Sequence, residues 1–302
     1  MKPKVFFEFI EIQSLIASVF PFVLGIMYAY YNYHLIQVGN MILFFVAANV
    51  LQMAVNANDN YQDFIHSDDE LEFKSKTNVV GVNNIPIGLA RAITIGLASI
   101  SAIIGIYLVV RVGLPLLWLG LFSFAVGYFY AAGPLPISNT PFGEIFSGFT
   151  MGFIIFLIAA FLNVYNVQAL TFSFLWRVLL ASGIAIFAIS NIMLANNICD
   201  EQEDRRNNRR TAVYYFGKKI MLRVFALSYV AGYLCLLVAV WIGILPILSV
   251  LTLLSVPLVW HNVRIFFQNQ VKRETFVLSV KNSVIITLFF AIAMGLGIWL
   301  NF

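Results

Sequence analysis

Two short stretches of this sequence place carboxylates at a spacing suited to binding a metal ion. Asp200 and Asp204 are four residues apart, and Asp59 and Asp63 repeat that interval earlier in the chain. On a helix, residues four apart lie on one face, so each pair would direct both carboxylates the same way. Like charges this close repel unless a cation lies between them, and Mg²⁺ prefers oxygen ligands and is often shared with a substrate phosphate. The two pairs therefore predict a site for Mg²⁺ and a diphosphate.

Asparagine side chains accompany both pairs. Asn196 and Asn197 come shortly before Asp200, and Asn56 and Asn60 lie on either side of the first aspartate of the earlier pair. Near a helix end an asparagine is either a cap for the backbone or a ligand for a metal or substrate, because its carbonyl oxygen can serve both purposes. We predict substrate-binding roles for all four.

Basic residues follow the acids, and two interpretations of them remain open. They can be determinants of membrane topology that face anionic lipid, or they can bind the charge of a diphosphate. Beside the aspartates we favour the second interpretation. The candidates are Lys74, Lys76, Arg205 and Arg209.

Composition places these motifs in a membrane protein. The chain has 302 residues, of which 61% are hydrophobic and only 11% are charged, whereas about 25% of a soluble domain is charged. Apolar runs near the ~20 residues needed to cross a bilayer recur along it. We predict an all-α integral membrane protein with one domain over 1–302, a lipid bilayer around it and no nucleic-acid partner. Nine spans are predicted at about 12–31, 40–57, 87–110, 114–131, 144–163, 174–196, 221–241, 244–261 and 283–301.

The distribution of charge predicts the orientation of these spans. With the N-terminus in the cytoplasm, Arg111 and Arg177 are the only basic residues assigned to the outer side. Basic residues concentrate in the cytoplasmic loops of membrane proteins, so we predict a cytoplasmic N-terminus. Both aspartate pairs then belong to long cytoplasmic loops, at about 58–86 and 197–220. Ionisable groups near membrane depth are costly and mark functional sites, so we predict an active site facing the cytoplasm in a multi-pass protein of the plasma membrane.

A stiff turn follows the fourth span. Gly-Pro and Pro-x-Pro within 133–136 break the helix just after Tyr128 and Tyr130. These tyrosines either anchor the helix at the membrane interface or line a pocket for an aromatic substrate. Thr140 is predicted as the N-cap of the fifth span, which puts Glu144 in its first turn, where a carboxylate suits the helix dipole.

Several stretches together resemble a known family. The likeness is carried by Asn196-Asn197-x-x-Asp200-x-x-x-Asp204-Arg205, by Gly133-Pro134-Leu135-Pro136-Ile137-Ser138 with Thr140-Pro141-x-Gly143-Glu144, and by Ser18-Val19-x-Pro21-x-x-x-Gly25. They resemble the UbiA-type intramembrane prenyltransferases, and most of all the 1,4-dihydroxy-2-naphthoate polyprenyltransferases of menaquinone synthesis. The chain departs from that pattern in its first motif, where the usual Asn-Asp-x-x-Asp is Asp59-Asn60-Tyr61-Gln62-Asp63. The basic residue common near Gln13 in the first helix is absent as well.

The resemblance implies both a fold and a reaction. Nine helices would surround a central cavity open to the cytoplasm and to lipid. A polyprenyl diphosphate would prenylate 1,4-dihydroxy-2-naphthoate, which loses its carboxylate and gives demethylmenaquinone. Mg²⁺ would neutralise the leaving diphosphate, and an aromatic-rich cavity would shield the allylic cation from water. The implied catalytic and metal-binding residues are Asp59, Asp63, Asp200 and Asp204. The implied substrate-binding residues are Asn56, Asn60, Lys74, Lys76, Tyr128, Tyr130, Asn196, Asn197, Arg205 and Arg209.

Two other functions remain open. A sibling prenyltransferase that uses 4-hydroxybenzoate or haem would carry similar aspartates, although the stretch from Gly133 to Glu144 favours the naphthoate. A secondary transporter also places acids at membrane depth, but paired motifs of the diphosphate-binding type argue against it. Prenyl chain length and oligomeric state do not follow from these patterns.

Overall fold

The computed structural model describes residues 1–66 and 78–301, and every regular element in these ranges is a helix. Nine helices in the described part are long and apolar enough to cross a membrane. This result confirms the predicted all-helical class with nine spans. The spans are Ile12–Tyr33, Val38–His66, Ile87–Val112, Leu114–Ala131, Gly143–Val164, Phe172–Cys199, Lys218–Trp241, Ile247–Gln268 and Phe276–Leu300.

Fourteen α-helices, with short 3₁₀ and π segments, make up the described chain. The α-helices are α1 Pro3–Phe9, α2 Ile16–Tyr33, α3 Val38–His66, α4 Val79–Val82, α5 Ile87–Val112, α6 Leu114–Ala131, α7 Gly143–Ser147, α8 Ile155–Val164, α9 Phe172–Cys199, α10 Glu201–Arg206, α11 Ala212–Phe216, α12 Lys218–Trp241, α13 Val256–Gln268 and α14 Phe276–Leu300. The 3₁₀ segments are Ile12–Leu15, Ile137–Asn139 and Ile247–Ser255, and the π segment is Gly148–Ile154.

Several helix boundaries differ from the predicted ones. Helix α13 ends at Gln268 rather than near residue 261, and α14 begins at Phe276 rather than near residue 283. Helix α3 continues to His66, well past the predicted end near residue 57. Its Asn56 and Asn60 side chains donate to the N-terminal segment, and Asn60 Nδ2 also donates to the backbone carbonyl of Asn56. The fifth span begins at Gly143 rather than Pro141. The hydroxyl of Thr140 accepts a hydrogen bond from Phe142 N at 3.3 Å, in the turn before the helix. Thr140 is therefore not its N-cap.

The chain divides into two compact units, each built from separate segments. Unit 1 comprises Met1–Ile16 and Ile42–Asn139, and unit 2 comprises Ala17–Met41 and Thr140–Phe302. The single domain over 1–302 stays a prediction.

In unit 1, the N-terminal helix packs on residues that follow the second span. Its core contains Phe9, Ile10, Ala57, Val80, Ile85 and Ala90, all buried. Farther along α3, the hydroxyl of Ser101 in α5 donates to the carbonyl of Ala47 at 2.9 Å. Unit 1 thus holds the C-terminal half of α3, with the first aspartate pair, between the N-terminal segment and the start of α5.

In unit 2, the fifth span makes an unusually close approach to α9. A Cβ on Gly148 would lie 1.9 Å from Ser190 Oγ, and one on Gly152 would lie 2.6 Å from Ile186 Cα. Small residues four apart allow two membrane helices to pack backbone against backbone. Glycine at these two positions therefore sets the distance between the fifth span and α9.

The eighth span begins as a long 3₁₀ helix. Ile247–Ser255 has nine residues, whereas such helices seldom exceed three or four. With three residues per turn, Ser249, Thr252 and Ser255 align on one side, and all three are fully buried. The hydroxyls of Ser255 and Tyr233 are 2.6 Å apart, which ties this segment to α12.

Candidate functional site

The second aspartate motif lies at a junction between two helices. Asn196 and Asn197 are in the last turn of α9, Asp200 joins α9 to α10, and Asp204 lies in α10. Asp200 N donates to Asn196 O at 2.9 Å, and Asp204 N donates to Asp200 O at 2.8 Å. The four-residue turn is thus kept across the junction, although the aspartates do not share one uninterrupted helix.

The oxygens of Asn196 and Asp200 already bind a cation supplied by the protein. Lys272, in the loop between α13 and α14, donates from Nζ to Asn196 Oδ1 and to Asp200 Oδ2. The side chain of Asp200 is 18% exposed and that of Lys272 is 43% exposed. Lys272 was not predicted as a site residue, because nothing local links it to a motif about seventy residues earlier in the chain.

Asp204 is the most buried carboxylate of the two pairs. Its Oδ1 lies 3.5 Å from Arg209 Nε, and its Oδ2 is buried without a hydrogen-bond partner among the described residues. Burial raises the pKa of Asp204 to about 6; Arg209 opposes this shift and the charge of Asp200 adds to it. An ionised Asp204 would gain from a further cation, because one of its oxygens has no donor and the neighbouring aspartate repels it.

Asn197 is held by a buried carboxylate from the fifth span. Asn197 Nδ2 donates to Glu144 Oε1 at 2.9 Å, and Ser190 Oγ donates to the backbone carbonyl of Glu144 at 2.9 Å. Glu144 Oε2 is buried without a hydrogen-bond partner. Glu144 does lie in the first turn of its helix, as predicted, but no local pattern indicates its contact with the motif. The close packing at Gly148 makes this contact possible.

The first aspartate pair lies within α3, where Asp59 and Asp63 are both half-buried. On the adjacent face of the helix, amide side chains hold the N-terminal segment. Asn56 Nδ2 donates to Ile10 O at 3.0 Å, and Asn60 Nδ2 donates to Phe9 O at 3.2 Å. Substrate roles for Asn56 and Asn60 stay predictions. Because their Nδ2 groups donate to the N-terminal segment, a substrate would be bound through their side-chain carbonyl oxygens.

The remaining predicted site residues have other surroundings. Arg205 pairs with Glu201 at 3.3 Å and lies 5.4 Å from the ring centre of Tyr214, so its guanidinium is directed at neither motif aspartate. Tyr128 is exposed, and its ring packs edge-on against a neighbouring phenylalanine. Tyr130 is half-buried. Lys74 and Lys76 lie outside the described residues.

The donors fit Mg²⁺ shared with a substrate better than a metal held by protein alone. Within 1–66 and 78–301, no three His, Cys, Asp or Glu side chains gather closely enough to hold a metal ion. Mg²⁺ usually takes one or two carboxylates and completes its shell with water and phosphate oxygens. The unpartnered oxygen of Asp204 and the cation-binding oxygens of Asn196 and Asp200 meet that requirement.

Comparison with known proteins decides the family. Residues 18–283 match the sequence profile of the UbiA prenyltransferase family. The chain belongs to this family. This UbiA-family chain is 27% identical over 290 residues to the 1,4-dihydroxy-2-naphthoate octaprenyltransferase of Bacillus subtilis (strain 168), a match that covers 96% of the chain and 90% of that protein. The resemblance inferred from the motifs is confirmed.

Solved structures agree on the fold. A UbiA homologue from Aeropyrum pernix K1, in its apo form, superimposes with a TM-score of 0.70 at 17% identity, covering 94% of this chain and 97% of the homologue. A UbiA homologue from Archaeoglobus fulgidus bound to DMAPP and Mg²⁺ superimposes with a TM-score of 0.65 at 10% identity, covering 96% and 99%. At these identities the likeness shows the UbiA fold. The central cavity and the cytoplasmic N-terminus stay predictions.

Proposed function

We propose that this chain transfers a polyprenyl group from a polyprenyl diphosphate to 1,4-dihydroxy-2-naphthoate, with loss of CO₂, to give demethylmenaquinone in its reduced form. The observation that carries this proposal is the similarity, over nearly the whole chain, to the naphthoate octaprenyltransferase of Bacillus subtilis. The Gly133–Glu144 stretch, which resembles the naphthoate branch, supports the same acceptor.

Asp59, Asp63, Asp200 and Asp204 are the proposed Mg²⁺ ligands. When bound, Mg²⁺ would neutralise charge on the diphosphate and make it a better leaving group. The partnerless buried oxygen of Asp204 and the pairing of Asn196 with Asp200 around a cation support this assignment in the second motif. The Archaeoglobus fulgidus homologue was solved with DMAPP and Mg²⁺, which supports a divalent ion beside an allylic diphosphate in this fold.

The chain's own side chains would bind the diphosphate charge, shield the allylic cation from water and contact the acceptor. Arg209, beside Asp204, is the best-placed described cation to share the charge of the departing diphosphate, and Lys74, Lys76 and Arg205 are further candidates. Breaking the C–O bond leaves an allylic cation, which apolar and aromatic walls would keep from water. Tyr128 and Tyr130 are proposed to contact the naphthoate ring. The ring carbon then forms the new C–C bond, and the carboxylate leaves as CO₂.

This family and its nine apolar helices make the chain a multi-pass membrane protein. We further propose that it lies in the plasma membrane with both aspartate pairs on the cytoplasmic side, since the basic residues concentrate in the loops assigned to that side.

One assay tests the reaction. Purified protein in lipid nanodiscs would receive Mg²⁺, a polyprenyl diphosphate and either 1,4-dihydroxy-2-naphthoate or 4-hydroxybenzoate, with products identified by mass spectrometry. We expect a prenylated, decarboxylated naphthol product and a preference for the naphthoate of about 10- to 200-fold, the range that differences in one pocket contact give. Equal use of both acceptors would contradict the proposed preference for the naphthoate but not the proposed prenyl transfer. No product with either acceptor, together with solute uptake driven by an ion gradient, would favour a transporter.

A further inference from the structure

Lys272 is a cation that the chain itself places on the second aspartate motif. It lies in the loop 269–275 between α13 and α14, and its ammonium bridges Asn196 Oδ1 and Asp200 Oδ2. The ring of Phe276 lies 5.2 Å from Nζ and covers another side of the charge.

This contact differs from an ordinary surface ion pair. Exposed pairs form between flexible side chains and contribute little to stability. Here a single ammonium meets two oxygens from one helix end, the Asp200 side chain is only 18% exposed, and an aromatic ring limits where the ammonium can lie. The loop therefore delivers Lys272 to the oxygens that the proposed function assigns to metal and substrate.

The ammonium and Mg²⁺ compete for those oxygens. Mg²⁺ requires its ligands at about 2.0–2.1 Å in near-octahedral directions, and two cations on the same carboxylate oxygen repel each other. Mg²⁺ bound to the oxygens that Lys272 now holds would therefore displace the ammonium from Asn196 and Asp200. Its four-carbon stem keeps the ammonium tethered nearby, and an ammonium with three donors suits the oxygens of a phosphate.

We propose that Lys272 is a diphosphate-binding residue. Before substrate arrives, its ammonium binds the oxygens of Asn196 and Asp200. When Mg²⁺ takes those oxygens, the Lys272 side chain moves and its ammonium binds the diphosphate instead. This inference rests on the proposed function. Lys272 forms no covalent bond and moves no proton. Lys272 therefore weakens the binding of Mg²⁺ when no diphosphate is present, and it strengthens the binding of the diphosphate.

The test uses the full-length protein in nanodiscs and three variants. Lys272→Met removes the charge and keeps the length of the stem, and Lys272→Arg keeps a charge. Arg273→Met is the matched control, because it removes a neighbouring exposed cation of the same loop. The measurements are the Mg²⁺ concentration that gives half of the thermal stabilisation without diphosphate, the Kd of inorganic diphosphate in excess Mg²⁺, and the KM of the polyprenyl diphosphate.

For Lys272→Met we expect half-maximal Mg²⁺ to fall several-fold while the Kd of inorganic diphosphate and the KM of the prenyl substrate rise about 10- to 100-fold, as loss of a charge-assisted hydrogen bond implies. Lys272→Arg should stay nearer to wild type in the diphosphate measurements. Arg273→Met should change none of the three. Opposite changes in metal and diphosphate binding would not result from a merely structural lysine.

Three results would overturn the inference, and they point to different errors. If wild-type protein binds Mg²⁺ and diphosphate and Lys272→Met binds both equally well, Lys272 is only a surface ion pair, and the proposed function stands. If the wild type binds neither, the proposed function fails, and the role of Lys272 fails with it. If Lys272→Met binds Mg²⁺ more tightly but diphosphate no more weakly, the proposed movement of the ammonium to the diphosphate is also overturned.

Discussion

At the scale of single residues, the two asparagines of the second motif face different partners. Asn196 shares the Lys272 ammonium with Asp200, whereas Asn197 donates to the buried Glu144. Asn196 thus belongs to the cation-binding surface, and Asn197 fastens the end of α9 to the fifth span. Both were predicted to bind substrate, because adjacent asparagines cannot be told apart until the neighbouring helices are known.

Asp204→Asn should separate activity from stability. The pKa of Asp204 is raised from 3.8 to about 6, so the ionised form is disfavoured in the folded protein. The unfolded carboxyl ionises first as pH rises, which makes the wild type lose stability between pH 3.8 and about 6, and the loss persists at higher pH. Asparagine carries no charge, so the variant does not lose stability in this way. Without Mg²⁺ we expect the variant's Tm to equal or exceed that of wild type, by more at pH 7 than at pH 5, while prenyl transfer is abolished.

Differential scanning fluorimetry and a product assay measure the two effects. Glu203→Gln removes a nearby exposed carboxylate whose charge contributes to the raised pKa of Asp204; as the comparison variant it should keep prenyl transfer and shift the Tm less than Asp204→Asn does. An active Asp204→Asn enzyme at limiting Mg²⁺ would contradict the metal-binding role of this residue.

Glu144→Ala should weaken the second motif from a distance. It removes the acceptor for Asn197 Nδ2, and a buried donor left without a partner costs about 1–3 kcal/mol. We expect a lower Tm and a higher half-saturating Mg²⁺ concentration. Glu144→Gln keeps an acceptor oxygen and should lie closer to wild type in both measurements. Identical Mg²⁺ titrations for wild type and Glu144→Ala would show that the contact does not position the motif.

At the scale of elements, the packing of the fifth span on α9 depends on two glycines. A Cβ on Gly152 would lie 2.6 Å from Ile186 Cα, which is backbone and cannot rotate away. Gly152→Ala should therefore push the helices apart and destabilise the protein by about 1–3 kcal/mol, the usual cost of overpacking.

Gly120→Ala is a matched control, since no atom of the described part of the chain lies within 4 Å of a Cβ at that position of α6. Thermal unfolding of both variants in the same nanodiscs gives the comparison. We expect Gly120→Ala to be neutral or slightly stabilising, because alanine favours helix over glycine. Equal Tm values for the two variants would contradict the close packing.

The sequence predicts the elements better than the contacts between them. Spans follow from apolar length, and residues 1–66 and 78–301 contain the nine that were predicted. The continuation of α3 through Asp59 and Asp63 could not be predicted, because the acceptors for Asn56 and Asn60 lie in the N-terminal segment. The contacts of Glu144 and Lys272 with the second motif could not be predicted for the same reason. Each reaches the motif across a gap in sequence that no local pattern records.

At the scale of the whole molecule, composition and motifs were enough to predict a membrane prenyltransferase family, and the family is confirmed. The division into two units was not predicted, since each unit combines segments that are far apart in the chain. Hydrophobic periodicity describes one helix at a time and cannot assign helices to units.

The orientation of the chain gives a further prediction. Three spans separate the loop at Val167 from the loop at Arg273, so the two loops must lie on opposite sides of the membrane. In a background with Cys199 and Cys235 replaced by serine, Val167→Cys should react with an impermeant maleimide in intact cells. Arg273→Cys should react only in inverted membrane vesicles. The reverse pattern would contradict the cytoplasmic N-terminus and would move both aspartate pairs to the outer face.

The 3₁₀ segment at the start of the eighth span has a consequence for bilayer thickness. A 3₁₀ helix rises ~2.0 Å per residue and an α-helix ~1.5 Å, so Ile247–Ser255 lengthens this span by about 4.5 Å. Its 22 residues thus reach as far as about 25 α-helical residues, and Lys272 follows shortly after its end. Lipids with shorter acyl chains would tilt such a span further from the bilayer normal. We expect acyl-chain length to alter the height at which Lys272 meets Asp200.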